Sequence, residues 1–211
     1  FLITAITSQD TNKMKREIYL DNSATTKVDD EVVKKVNNFF IENYGNASSQ
    51  HLIGRKVREE IEKSRIKIAR FIGADASEII FTSGGTESNN LALRGLALAN
   101  PNKKHIITSV IEHPSVLETC KDLEKQEYQV DYIKVSREGI VDINEIKNKI
   151  REDTLVVSVM HVNNEIGTVQ PIEEIGKICK DKRVYFHTDA VQSFTKIPIN
   201  VSKLNVDLIS V

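Results

Sequence analysis

The sequence is poor in cysteine. Its 211 residues include two cysteines, Cys120 and Cys179, and their separation matches no metal-ligand spacing. Two cysteines in a chain of this length fit a reducing compartment. Both residues lie in stretches predicted to be amphipathic helices, where a free cysteine is usually a small buried hydrophobe rather than a reactive nucleophile. We therefore expect neither a metal site nor a nucleophilic thiol from these two residues.

The chain also has no excess of charge of one sign and no long apolar run. The 29 basic and 30 acidic side chains leave a formal net charge of −1, and no basic stripe is present, which argues against a nucleic-acid partner. No apolar stretch approaches the length of a membrane-spanning helix. The apolar residues 1–6 have no basic segment before them, so they make a poor signal peptide. We expect a cytoplasmic protein with no nucleic-acid or membrane partner.

What the chain does contain is an alternation of strand-like and helix-like segments. Hydrophobic residues make up 40% and charged residues 28%, which is close to the globular average. Alternating strands and helices predict an α/β fold with a mainly parallel sheet and helices on both faces. Short strands are predicted near 18–20, 79–82, 105–109, 129–135, 155–160, 184–188 and 207–211. Helices are predicted near 29–42, 53–72, 87–99, 114–126, 142–150 and 171–182.

Asp189 follows an apolar strand, and open α/β sheets place their chemistry just beyond the C-terminal ends of their strands. A carboxylate in such a crevice stays charged opposite a cation or several hydrogen-bond donors. The protonated pyridine nitrogen of pyridoxal phosphate is one such cation. The alternative is a helix N-cap, and the segment alone does not choose between the two.

Three further polar clusters follow predicted strands. Gly84, Gly85 and Thr86 form a glycine turn before a helix, which suits a phosphate group but also an ordinary turn with a cap. His113 precedes a proline and is predicted to cap a helix, from where its ring would lie over a flat cofactor or serve structure alone. The asparagines at 163–164 are either site residues or turn formers. Four such clusters together favour one cofactor site.

Six segments of the sequence, taken in their order and spacing, resemble one known group of enzymes. The match runs from about Glu17 to Val211, and these segments strongly resemble the cysteine desulfurases of the NifS/IscS type, which belong to the class V aminotransferase group of fold type I pyridoxal phosphate enzymes. The segments are 19–26, 44–51, 83–90, 112–113, 162–167 and 189–192.

The resemblance implies a cofactor and a role for each matching residue. Asp189 would pair with the pyridine nitrogen of pyridoxal phosphate, and Gln192 would donate to its phenolic oxygen. Thr86 and the backbone of Gly85 would hold the phosphate. Asn164 would lie beside the phenolic oxygen and the substrate carboxylate.

The remaining matching residue, His113, would stack on the cofactor ring and move protons, which makes it the predicted catalytic residue. The implied activity is the removal of sulfur from L-cysteine, giving L-alanine and an enzyme persulfide for iron–sulfur cluster or thio-cofactor synthesis. The implied partners are L-cysteine, a sulfur-acceptor or scaffold protein and a second copy of the chain in a homodimer.

The resemblance also implies a division of the chain. Residues 1–16 are expected to be a disordered extension or leader, and residues 17–46 to pack with a small C-terminal domain. Residues 47–211 would form the large cofactor domain of fold type I, truncated at its C-terminal end.

The Schiff-base lysine of the family is expected about four residues after Val211, and its nucleophilic cysteine and substrate-binding arginine later still. The 211 residues alone are therefore expected to be inactive. The alternatives are another class V enzyme, such as a selenocysteine lyase or an aminotransferase, and a non-catalytic fragment.

Overall fold

The computed structural model describes residues 18–211, so the predicted extension over 1–16 lies outside the described residues. A five-stranded sheet lies at the centre of this part of the chain. The helices are α1 (Asp30–Ile41), α2 (Leu52–Ile72), α3 (Gly85–Ala99), α4 (Pro114–Glu124), α5 (Ile143–Lys149), α6 (Ile172–Lys182) and α7 (Val201–Leu204), with a 3-10 turn at Ala76–Glu78. The strands are β1 (His105–Ser109), β2 (Gln129–Ile133), β3 (Thr154–Ser158), β4 (Tyr185–Asp189) and β5 (Leu208–Ser210).

All five strands are parallel, in the order β2-β1-β3-β4-β5. The chain leaves β1 toward one edge of the sheet through α4 and returns past it through α5, so the direction of winding reverses between β1 and β3. Helices that lie on either side of such a switch leave a crevice at the C-terminal ends of the two strands, and ligands of open α/β sheets bind there. The topology therefore places a binding site beyond Ser109 and Ser158.

Alternate residues of each strand pack against helices on opposite faces of the sheet. On one face Ile107, Val157 and Phe186, all fully buried, pack with residues of α5 and α6. On the other face Ile106 and Val156 pack with residues of α3 and α4. Helices on both faces explain why every residue of β1 and β3 is buried. The predicted α/β fold with helices on both faces is confirmed.

Two predicted strands are wrong. Residues 18–20 and 79–82 form no strand, because a strand needs a neighbour to share its backbone hydrogen bonds and no other strand pairs with them within residues 18–211. The carbonyl oxygen of Ile79 accepts a hydrogen bond from the Arg65 guanidinium instead. Ile80 and Phe81 are 70% and 49% exposed, so the β-branched and aromatic residues that suggested a buried strand lie largely at the surface.

Helix α1 contains no buried residue, and Val32, Val36, Phe40 and Ile41 are all more than 40% exposed. Asp29 caps its start by accepting a hydrogen bond from the backbone N–H of Glu31. The expectation that residues 17–46 pack with a further domain stays a prediction, as do the other predicted domain boundaries. No helix of the described segment combines the length and the apolar character needed to cross a membrane.

Candidate functional site

A cavity of about 240 Å³ opens at the C-terminal edge of the sheet, beyond the ends of β1, β3 and β4. A larger, open cleft of about 800 Å³ lies at the opposite edge, beside the start of β4, and none of the predicted site residues lines it. The smaller cavity is lined by every residue predicted from the sequence as a site residue. These are Gly85, Thr86, His113, Asn164, Asp189 and Gln192.

Asp189 ends β4 and is 6% exposed. Its Oδ1 accepts a hydrogen bond of 3.0 Å from the backbone N–H of Val191, and its Oδ2 accepts one of 2.7 Å from Asn89 Nδ2. The residues that follow, 191–196, form a series of turns, so Asp189 does not cap a helix. Both donors are neutral groups. A buried carboxylate held only by neutral donors suits a cationic ligand, because charge pairing would offset its burial.

The start of α3 faces the same cavity. Gly84 precedes the helix and caps it with no side-chain hydrogen bond, so the first backbone N–H groups of the helix are free to bind an anion. A Cβ atom on Gly85 would lie 2.8 Å from Cγ2 of Val191, which is closer than non-bonded carbon atoms approach. A side chain at this position would therefore collide with Val191, which lines the cavity together with Gly85 and Thr86.

His113 caps α4, as predicted from the proline that follows it. Its Nδ1 accepts a hydrogen bond of 3.1 Å from the backbone N–H of Ser115 and lies 2.8 Å from Ser115 Oγ. Pro114 occupies the first helical position, where the missing N–H of proline costs nothing. The capping role and the position beside the cavity are therefore compatible, since the cap uses one ring nitrogen only.

The two asparagines after β3 have different roles. Asn163 is 6% exposed, donates to the carbonyl oxygen of Ile111 and accepts from the backbone N–H groups of Glu165 and Ile166. It is thus a turn-forming residue that also ties this loop to the loop after β1. Asn164 lines the cavity. The sequence left this choice between turn former and site residue open. The structure places Asn163 in the turn and Asn164 at the cavity, and a binding role for Asn164 stays a prediction.

The cavity residues that were not predicted from the sequence include Asn89 and Ser115. Asn89 of α3 is fully buried, and its Nδ2 donates to Asp189 Oδ2 at 2.7 Å and to Ser115 Oγ at 2.9 Å. Asparagine is unfavourable inside a helix, so the pair at 89–90 in an otherwise apolar helix was a usable signal. Ser115 carried no such signal, since serine is common in the first turn of a helix.

Glu112 was also missed as a feature of the site. It is 5% exposed, and its Oε1 accepts a hydrogen bond of 2.5 Å from Ser109 Oγ and one of 3.0 Å from the backbone N–H of Met160. It therefore ties the end of β1 to the loop after β3. Burial, together with the smaller effect of the nearby Asp189 charge, raises the pKa of Glu112 to about 8 against the effect of these hydrogen bonds.

The two cysteines are buried, as expected, and pack in the apolar cores on the two faces of the sheet. Burial raises the pKa of both thiols, Cys120 and Cys179, to about 12. Neither is a thiolate near neutral pH in this conformation. Lys196 and Lys203 are exposed, and neither lines the cavity. No cluster of three or more His, Cys, Asp or Glu residues within 18–211 is arranged to hold a metal ion.

Comparison with known proteins gives one consistent result. The model of the family "Aminotransferase class-V" matches residues 18–211. A cysteine desulfurase IscS from Dictyoglomus turgidum is 54% identical over 199 residues, which is 94% of this chain and 50% of that protein. A cysteine desulfurase IscS from Methanosarcina thermophila is 52% identical over 196 residues, covering 92% of this chain and 48% of the relative. The chain spans about half the length of the curated relatives it matches.

Solved structures with a similar fold point to the same group of proteins. A NifS-like protein superposes with a TM-score of 0.86 and 43% identity, over 89% of this chain and 52% of that one. A protein named SspA, solved in complex with cysteine, superposes with a TM-score of 0.87 and 40% identity, over 89% of this chain and 54% of its own. The described sheet and helices therefore correspond to about half of each of these structures.

Proposed function

Since the chain belongs to the class-V aminotransferase family, we propose that it forms the pyridoxal phosphate-binding part of a cysteine desulfurase of the NifS/IscS type. The proposed reaction transfers sulfur from L-cysteine to an enzyme thiol, giving L-alanine and an enzyme persulfide. The identity of 54% to an IscS relative supports this choice within the family. The activity of the whole protein is part of the proposal, because the chain spans about half of that relative.

The observation that carries the proposal is the meeting of a buried carboxylate and an open helix start on one cavity. Asp189 receives hydrogen bonds from neutral donors alone, and α3 begins with unoccupied N–H groups on the same cavity. Pyridoxal phosphate has a cationic pyridinium and an anionic phosphate on one flat ring, so its two charges match these two ends. The residues present therefore fit the cofactor.

When bound, pyridoxal phosphate supplies an electron sink for the carbon that carries the substrate amino group. In the proposal, the Asp189 carboxylate would keep a proton on the pyridine nitrogen, and the Thr86 hydroxyl and the first N–H groups of α3 would hold the phosphate. Asn164 and Gln192 would bind the phenolic oxygen. His113 would contact the ring and move protons at its free ring nitrogen.

A glycine pair in α3 tests the phosphate end of the site. Gly85→Ala would place a Cβ 2.8 Å from Val191 Cγ2, so Val191, which lines the cavity, would have to shift. We expect the affinity for pyridoxal phosphate to fall about ten-fold, or about 1.4 kcal/mol. Gly95→Ala in the same helix is the matched control, since a Cβ there has no atom within 4 Å. It should leave affinity unchanged and stabilise the helix by about 0.5–1 kcal/mol. A cofactor titration and a thermal melt measure both effects.

The proposed function is tested with the purified protein, pyridoxal phosphate and L-cysteine. Its intact mass is first measured after incubation with the cofactor and reduction by borohydride, for comparison with the 23.8 kDa of these residues. In a protein whose mass exceeds this value and whose further residues include the cofactor-binding lysine, we expect one trapped cofactor per chain. Such a protein should also release equal amounts of alanine and sulfide when a thiol reductant is present. Release of a keto acid would identify an aminotransferase, and turnover of selenocysteine alone would identify a selenocysteine lyase. Failure to bind the cofactor would refute the proposal.

We also propose that the persulfide sulfur passes to an acceptor or scaffold protein for iron–sulfur cluster or thio-cofactor synthesis, and that the protein acts as a cytoplasmic homodimer. The IscS names of the relatives support the first part. The exposed apolar side chains of α1, including Phe40 at 76% and Ile41 at 75%, offer surface for contact with a further domain or subunit. Light scattering of the purified protein measures its oligomeric state.

A further inference from the structure

A chain of hydrogen bonds joins Asp189 to His113. Asn89 Nδ2 lies 2.7 Å from Asp189 Oδ2 and 2.9 Å from Ser115 Oγ. Ser115 Oγ in turn lies 2.8 Å from His113 Nδ1. The four side chains come from β4, α3 and the start of α4, so this series of hydrogen bonds exists only in the folded protein.

The amide of Asn89 has one favourable orientation. Its nitrogen has two hydrogens, and each has an acceptor, one on Asp189 and one on Ser115. The opposite orientation would place the amide oxygen against a carboxylate oxygen, and two acceptors at that distance repel. Asn89 Oδ1 is left buried without a partner, which costs stability. An apolar residue would avoid that cost, so Asn89 contributes through the two hydrogen bonds that its amide donates.

The ring of His113 has a defined tautomer for a similar reason. Its Nδ1 accepts a hydrogen bond of 3.1 Å from the backbone N–H of Ser115. A backbone N–H can only donate, so Nδ1 carries a lone pair and the neutral ring carries its hydrogen on Nε2. The Ser115 hydroxyl accepts from Asn89, and its own hydrogen is then available to Nδ1.

We propose that Asn89 and Ser115 are positioning residues that hold His113 as the tautomer with hydrogen on Nε2, so that Nε2 is the nitrogen that exchanges protons with the bound molecule. The identity of that molecule rests on the proposed function. The tautomer itself is a property of the chain without a ligand, so it can be measured before any cofactor is added. Asn89 acts through Ser115, since the two lie in series between Asp189 and the ring.

The test is nitrogen NMR of the ring of His113 in protein labelled with ¹⁵N-histidine, without cofactor and at a pH where the ring is neutral. Wild type should show the hydrogen on Nε2. Ser115→Ala should lower the ratio of the two tautomers about five-fold, as for the loss of one hydrogen bond. Asn89→Ala should also lower it, but not further in the Ser115→Ala background. Ser115→Thr, which keeps the hydroxyl, should restore the wild-type ratio.

Asn90→Ala is the matched control, because this neighbouring residue accepts from Arg94 and Thr119 instead. It should leave the tautomer ratio unchanged. A wild-type ring with its hydrogen on Nδ1 overturns the inference even if every variant fails to fold. If Asn89→Ala changes the tautomer ratio equally in the wild-type and Ser115→Ala backgrounds, Asn89 does not act through Ser115. The expected tautomers in a protein that binds no pyridoxal phosphate would refute the proposed function and leave this inference standing.

Discussion

Asp189→Ala is expected to reduce the affinity for pyridoxal phosphate on the order of a hundred-fold or more and to abolish turnover. The variant removes the carboxylate that would pair with a pyridinium, and loss of one member of a buried charge pair costs about 2–5 kcal/mol. The fold should persist, because the carboxylate supports only Asn89 and the backbone N–H of Val191. Absorbance titration of the purified protein with the cofactor measures affinity, and circular dichroism measures the fold.

Two further variants separate charge from structure. Asp189→Asn keeps the volume of the side chain but not its charge, so it should lose affinity to a similar degree. Asp207→Ala is the matched control: Asp207 lies at the opposite edge of the sheet and accepts a hydrogen bond of 2.8 Å from the backbone N–H of Phe186. It should lower the melting temperature and leave affinity unchanged. Wild-type affinity in Asp189→Asn would show that the carboxylate does not bind the cofactor.

The sequence was sufficient to place His113, Asn164 and Asp189 at one cavity because parallel strands impose a simple rule. Polar residues that follow buried strands of one parallel sheet end at the same edge, whatever the details of packing. His113 and Asp189 were therefore predictable as neighbours although 76 residues separate them in the chain. Helix ends were equally accessible, since Pro114 and the left-handed Gly73 after α2 are local signals. Gly85 and Thr86 reach the same cavity although the residues before them, 79–82, form no strand.

The errors arise where the outcome depends on distant contacts. Residues 79–82 have a strand-like composition, but no strand within the described part of the chain lies beside them to complete a ladder. Asn89 bonds to partners 26 and 100 residues away, so neither its burial nor its orientation is a local property. Glu112 is adjacent to a predicted catalytic residue, yet only the meeting of the loops after β1 and β3 buries it.

Glu112→Gln is expected to change how stability depends on pH. In the folded state the pKa of Glu112 is raised to about 8, whereas in the unfolded chain it is near 4.5. Between these values the unfolded state has lost the proton and the folded state keeps it, so the free energy of unfolding falls as pH rises, by up to about 1.4 kcal/mol per pH unit. Below this range the contribution is fully present, and above it the loss is complete. Glutamine cannot ionise, so the variant lacks this decrease.

The measurement is urea unfolding of wild type and Glu112→Gln at pH 6.5 and pH 8. Glutamine keeps an oxygen that accepts from Ser109 and Met160, so it resembles the protonated acid. Between pH 6.5 and pH 8 the free energy of unfolding of the variant, relative to that of wild type, should therefore rise by about 1–2 kcal/mol. His187 has its pKa lowered to about 4 by burial and so alters stability below pH 6.5, but that effect is common to both proteins and cancels in the difference. Glu118→Gln, an exposed residue of α4, is the control and should track wild type. Parallel pH curves for wild type and Glu112→Gln would mean that Glu112 is ionised in the folded protein, and its bond to Ser109 would then join a charged rather than a neutral carboxyl group.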